Sequence, residues 1–200
     1  MEPQSFELVH AVLVGIGLSA ACGFRVFVPL LGVSIAALAG HLPLSPEFAW
    51  LGTWPALMAL AVATALEVGA YSVPFIDHLL DVIATPMAIV AGTLLMASLL
   101  GETSPFLKWS LAVIAGGGAA GIVQAGSVAL RGSATFLTGG IGNLLVAALE
   151  FAGAVIMTVL ALLLPLLAVA GLLVMAFVVI RAGLRRFRSN PPPSADHSSL

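Results

Sequence analysis

Gly15-Ile16-Gly17-Leu18-Ser19-Ala20-Ala21-Cys22-Gly23-Phe24-Arg25-Val26-Phe27-Val28-Pro29-Leu30-Leu31 lies inside an apolar stretch running from Leu8 to Ala39, in which Arg25 is the only Lys, Arg, Asp or Glu. A membrane helix needs roughly 20 apolar residues to cross about 30 Å of hydrocarbon. The stretch is longer than one crossing requires. It predicts either one tilted helix or a helix followed by a re-entrant or interfacial piece beginning near Pro29, where a proline interrupts the donor pattern.

The rest of the chain has the same character. Of its 200 residues, 60% are apolar and only 8% are charged, with mean hydropathy +1.16, whereas soluble domains carry about 25% charged residues. Further apolar stretches run from Phe48 to Ala70, Ala84 to Leu100, Leu107 to Leu130, Ile141 to Val159 and Leu162 to Ile180. The expected fold is therefore all-α, a polytopic transmembrane helical bundle of about six spans.

Polar or turn-forming segments separate most of these stretches: His41 to Glu47, Ser72 to Thr85, Gly101 to Pro105, and Arg131 to Gly140. The last boundary has no such segment, because between Leu144 and Ile180 Glu150 is the only charge and Pro165 the only obvious breaker. One straight helix of that length would reach roughly 55 Å and overshoot the bilayer, so it is divided near residue 160.

Four of the seven basic residues, Arg181, Arg185, Arg186 and Arg188, lie near the C-terminal end. By the positive-inside tendency that end is cytoplasmic, and six spans bring the N-terminus to the same face, with Arg131 also inside and Lys108 the exception. The expected location is the cell inner (cytoplasmic) membrane. Met1 to His10 has no Lys or Arg, so the run leading to Cys22 does not read as a cleaved signal. Pro191-Pro192-Pro193 and the serines after it predict a disordered tail.

The chain also repeats itself. Ala65-Leu66-Glu67 recurs as Ala148-Leu149-Glu150, Pro86 to Gly92 recurs loosely as Pro165 to Gly171, and Met96-Ala97 as Met175-Ala176. Gly17, Ala20, Gly32 and Gly40 match Gly117, Ala120, Gly132 and Gly140. Residues 1–104 then form a first repeat, 105–184 a second and 185–200 a basic, then disordered, tail. Three spans per copy would insert the copies in opposite senses, an inverted duplication with a natural substrate site at the midplane.

Within that scheme the deep charges are the candidate site. Glu67 and Glu150 occupy matching positions inside spans, where an ionised side chain costs roughly 2.5 to 3.5 kcal/mol and so faces protein or water, paired or protonated. They serve either as proton carriers or as hydrogen-bonding links between helices. Arg25 snorkels to an interface, pairs with Glu67, or presents its five donors to an anion. Asp77 and Asp81 stand one helical turn apart with His78 between them, which suits a helix start better than a metal pair, since the other histidines belong to distant segments.

Gly117 and Gly121 form a small-xxx-small pair that lets helices approach closely. The stretch Gly132 to Asn143, rich in glycine and hydroxyls, is either unwound backbone lining a polar cavity or an ordinary loop. No catalytic constellation, metal site or cofactor motif appears. The near-neutral net charge of −2, without a basic stripe outside the C-terminal end, argues against nucleic acid as a partner.

The opening motif through Leu31, the block Asp77-His78-Leu79-Leu80-Asp81, and Thr138-Gly139-Gly140 with Asn143 and Glu150 resemble bacterial membrane proteins of domain-of-unknown-function family 4126. The resemblance covers about Leu8 to Ile180. It implies a bacterial inner membrane and gives weight to Arg25, Asp77, Asp81, Asn143 and Glu150, but it assigns no activity. Two functions are compatible with the residues. One is a small secondary transporter or flippase, proton-coupled, carrying an anionic or phospholipid-like substrate; the other is a non-transporting scaffold or accessory subunit whose buried charges are structural. The lipid bilayer is the common partner, and homo-oligomerisation is left open.

Overall fold

A computed structural model describes residues 3–70, 77–101, 103–139 and 142–189. They form α1 (Pro3–Cys22), α2 (Phe27–Leu38), a 3-10 turn (Pro46–Gly52), α3 (Trp54–Ala70), α4 (Asp77–Leu99), α5 (Pro105–Leu111), a π-helical turn (Ala112–Gly117), α6 (Gly118–Thr138), α7 (Asn143–Leu163) and α8 (Pro165–Ser189). No strand occurs among the described residues.

The long first stretch is a helical hairpin. A Cβ on Gly15 would meet Met96, and the Ser19 hydroxyl donates to the Gly92 carbonyl at 2.7 Å, so α1 runs antiparallel to α4. Val26, Phe27 and Leu30 then line a groove opposite Pro86 to Leu94 of α4, while α2 itself runs back against α3 and α7. On α7 the two arms meet one level: Gly17 of α1 lies against Ala161, and Gly32 of α2 against Thr158. The reversal falls at Gly23 to Val26, before Pro29, which sits in the tolerant first turn of α2.

Helix α1 is the axis of the bundle. Leu18 to Cys22 are all completely buried, enclosed by α4, α6, α7 and α8. Among apolar helices in lipid, packing and not expulsion of water drives association, so small residues decide the fit. Gly92, Gly116 and Ser19 make one such contact, and Gly117 and Gly121 lie against Ile89, bearing out the packing reading of that glycine-rich run. Gly23 is similarly constrained, since a Cβ there would stand 2.5 Å from the Ala120 carbonyl oxygen.

The outer surface is apolar. Leu66, Phe106, Ile114, Leu144, Leu163 and Val174 are among many large hydrophobic side chains left mostly exposed, which suits a membrane protein. By length and apolarity, Pro105–Thr138 and Asn143–Leu163 are each sufficient to cross a membrane; the 3-10 turn with α3, bent by 68°, would make a third. Four shorter apolar helices accompany them: Phe6–Cys22, Phe27–Leu38, Ile83–Leu99 and Pro165–Val178.

Two boundaries differ from the sequence expectation. Residues 131–138 are not a loop: α6 continues to Thr138 and ends at Gly139, whose φ of 63° is left-handed and suits glycine. The division in the C-terminal stretch falls at Leu164-Pro165, because proline cannot donate to the preceding turn. Pro86, by contrast, stays inside α4.

Packing at the glycine contact gives a direct test. Gly116→Val would press a side chain into Met96 Cβ and the Gly92 carbonyl, at 2.6 and 2.7 Å from the new Cβ, and should cost about 2 kcal/mol as overpacking. Gly118→Ala, where a Cβ meets nothing within 4 Å, should leave the thermal midpoint in detergent unchanged or slightly raised.

Candidate functional site

The hairpin turn leaves backbone amides that no helix can satisfy, and α3 supplies the acceptor. The Val26 amide donates to Glu67 Oε1 at 2.7 Å and the Phe27 amide to Oε2 at 3.0 Å. Glu67, half-buried on α3, thus caps α2 from outside its own segment, with its negative charge at the positive end of the helix. Both of its oxygens accept from peptide backbone at the turn that carries Arg25.

Arg25 projects from the hairpin turn toward α7. Its Nη2 donates to the Ala147 carbonyl at 3.1 Å and stands 3.6 Å from Glu150 Oε2. Glu150 is 2% exposed and takes a second guanidinium: Arg131 Nε donates to Oε1 at 2.8 Å and Arg131 Nη2 to Oε2. The two-point geometry is the fork that guanidinium offers a carboxylate. Two buried arginines from different elements therefore converge on one buried carboxylate.

Arg131 is the site residue that the sequence reading missed, taking it for a cytoplasmic loop residue. A signal was available. Gln124, Ser127, Arg131 and Thr135 recur at helical spacing, and the first three are buried on one face of α6 while Thr135 is half-buried. Such a polar stripe in an apolar helix points to the protein interior.

Asn143, the first residue of α7, exchanges hydrogen bonds with Thr135 of α6 at 2.9 and 3.1 Å across the break at Gly139. It ties α6 to α7 near the charge cluster. Asp77 opens α4 and Asp81 follows one turn later, but their side chains lie outside the described residues. Among the described residues, no group of three His, Cys, Asp or Glu side chains is placed to hold a metal.

Removing one member of a buried ion pair leaves the other charge stranded, at a cost of about 3 to 5 kcal/mol, whereas replacing the whole pair by apolar residues is nearly neutral. Arg131→Met or Glu150→Met alone should therefore lower the thermal midpoint strongly. The double variant should regain much of the loss, unless Arg25, which also faces Glu150, is left unbalanced. Adding Arg25→Met would then complete the recovery, and a mutant cycle in detergent measures each step.

No curated protein and no solved structure matches the chain. The match that exists is to a family model described as a domain of unknown function (DUF4126), which covers residues 12–185 with Arg25, Glu67, Arg131, Asn143 and Glu150 inside it; the chain belongs to that family.

Proposed function

We propose that the protein is a small secondary transporter or flippase for an anionic, phospholipid-like substrate, with Arg25 and Arg131 as its anion-binding groups. The observation that carries this reading is the convergence of two buried guanidiniums on Glu150. A substrate phosphate or carboxylate has the same acceptor chemistry as Glu150 and competes for the same donors. A proton on Glu150 weakens its hold on the arginines and favours the substrate. By linkage the bound substrate favours the proton to the same degree, which couples the two.

Glu67 has a different part in this scheme. Bound to two backbone amides at the hairpin turn, it positions Arg25 and is not the exchanging carboxylate. Inverted duplication remains the organising proposal. Its support is that α3 and α7, which carry the paired glutamates, run in opposite directions, α2 lying antiparallel to the first and parallel to the second. The first element of each copy differs, a hairpin in one and a continuous α5–α6 rod in the other.

The hairpin also revises the proposed topology. Entering and leaving on one face, α1 and α2 make no crossing, so α3, α4, α5–α6, α7 and α8 give five in place of six. The arginines at the C-terminal end of α8 then mark the cytoplasmic face, and the N-terminus, with no Lys or Arg before Arg25, lies opposite. Reporter fusions at each end should show opposite compartments; cytoplasmic signals at both ends would restore the six-span arrangement.

The function is tested in proteoliposomes under an imposed pH gradient, with fluorescent short-chain phosphatidylglycerol and phosphatidic acid as probes. Wild type should move a probe at a rate that follows the gradient, Arg131→Gln should lose about tenfold or more of it, and Glu150→Gln should retain movement without the pH dependence. Equal flux in all three would favour the scaffold reading, in which the buried charges only hold helices together.

A further inference from the structure

At the opposite end of α1 from Arg25 the structure holds a second polar centre that the transport scheme does not use. A cavity of about 240 Å³ is lined by Glu47, Phe48, Gly101, Thr103, Lys108 and Trp109, together with Pro105. Lys108, on the apolar helix α5, is only 6% exposed. Its ammonium donates to Ser45 Oγ at 3.3 Å and to Glu47 Oε2 at 3.1 Å, and stands 5.7 Å from the centre of the Phe48 ring.

Three features of this cavity fit a ligand carrying both charges. An ammonium has three donors and the two oxygen acceptors occupy two of them, so one remains for a ligand oxygen. Thr103 Oγ1, on the cavity wall, is buried without a hydrogen-bond partner, which marks a donor awaiting an acceptor. Glu47 is mostly exposed at the mouth. Paired with the Lys108 ammonium at 3.1 Å and open to water, its carboxylate presents a negative charge there.

The surroundings place the cavity at a membrane–water boundary. Trp109 on its wall is exposed, and so are Phe106 in the same helix and Trp50 and Trp54, in and just after the 3-10 turn that carries Glu47 and Phe48, as in the aromatic belts where indole rings meet lipid headgroups. We infer that this cavity binds the headgroup of a zwitterionic aminophospholipid, with Lys108 and Thr103 on the phosphate and Glu47 on the ammonium. The acyl chains then lie along the apolar flank of Phe106 and Trp109. This site is independent of the Arg25–Arg131–Glu150 cluster and stands whether or not the protein transports anything.

The test uses the purified full-length protein, delipidated in detergent and titrated with dilauroyl phosphatidylethanolamine, phosphatidylglycerol or soluble O-phosphoethanolamine, read by native mass spectrometry and thermal midpoint. Phosphatidylethanolamine should form a retained adduct and raise the midpoint, and phosphatidylglycerol, lacking the ammonium, should bind about tenfold more weakly. Thr103→Val and Lys108→Met should each weaken the phosphatidylethanolamine adduct, and Glu47→Gln should abolish the preference over phosphatidylglycerol. Should Lys108→Met fail to fold, the Thr103 and Glu47 variants decide alone. Equal binding of the two lipids by wild type, or adducts untouched by these substitutions, would overturn the proposal. Retention of O-phosphoethanolamine as tightly as the lipid would overturn its lipid part.

Discussion

A helix interrupted in apolar surroundings exposes amides that hydrocarbon cannot satisfy, at several kcal/mol each. The whole bundle is arranged around one such interruption. At Gly23 to Val26 the chain turns back on itself, and the Glu67 carboxylate accepts from the amides of Val26 and Phe27, the cap and the first residue of α2. With the turn secured, α1 can lie against α4 and α7, α2 against α3 and α7, and Arg25 is delivered to Glu150. Loss of the carboxylate would expose the amides, free the turn and remove Arg25 from its place.

The remaining architecture follows from close approach. Gly15, Gly17, Gly23, Gly92 and Gly116 let backbones come near enough for direct van der Waals contact. This is why the interior contains so many alanines, glycines and serines, with a few large side chains such as Leu18, Leu95 and Met96 among them, and why many bulky side chains point outward. Against such an interior the few buried charges are conspicuous. They collect at two ends of α1, one cluster around Glu150 and the other around Lys108.

Much of this was legible in the residues. The excess length of Leu8 to Ala39 allowed a second piece of helix beside the alternative of one tilted span, the deep glutamates announced polar contacts, and Gly117 with Gly121 announced tight packing. The location of the turn was not legible, because Pro29 is the local breaker, whereas the turn depends on Glu67, 41 residues beyond Val26. Arg131 was misread for a related reason. The glycine and hydroxyls after it look like a loop, yet Ser133 and Thr138 satisfy their hydroxyls on carbonyls four residues back, so they do not need a break in the helix to find partners. Local composition described the segment, and a distant carboxylate decided its role.

The cap at the hairpin turn also constrains how the chain is made. Glu67 follows the turn by some 40 residues, so during synthesis the hairpin emerges from the ribosome well before the acceptor that closes it. Until α3 arrives the two amides need water or another polar environment, and the Arg25 guanidinium, whose carboxylate partner Glu150 lies on α7, needs one for longer. The backbone of the turn is therefore satisfied from within the chain only once α3 is made, and its charge only once α7 is.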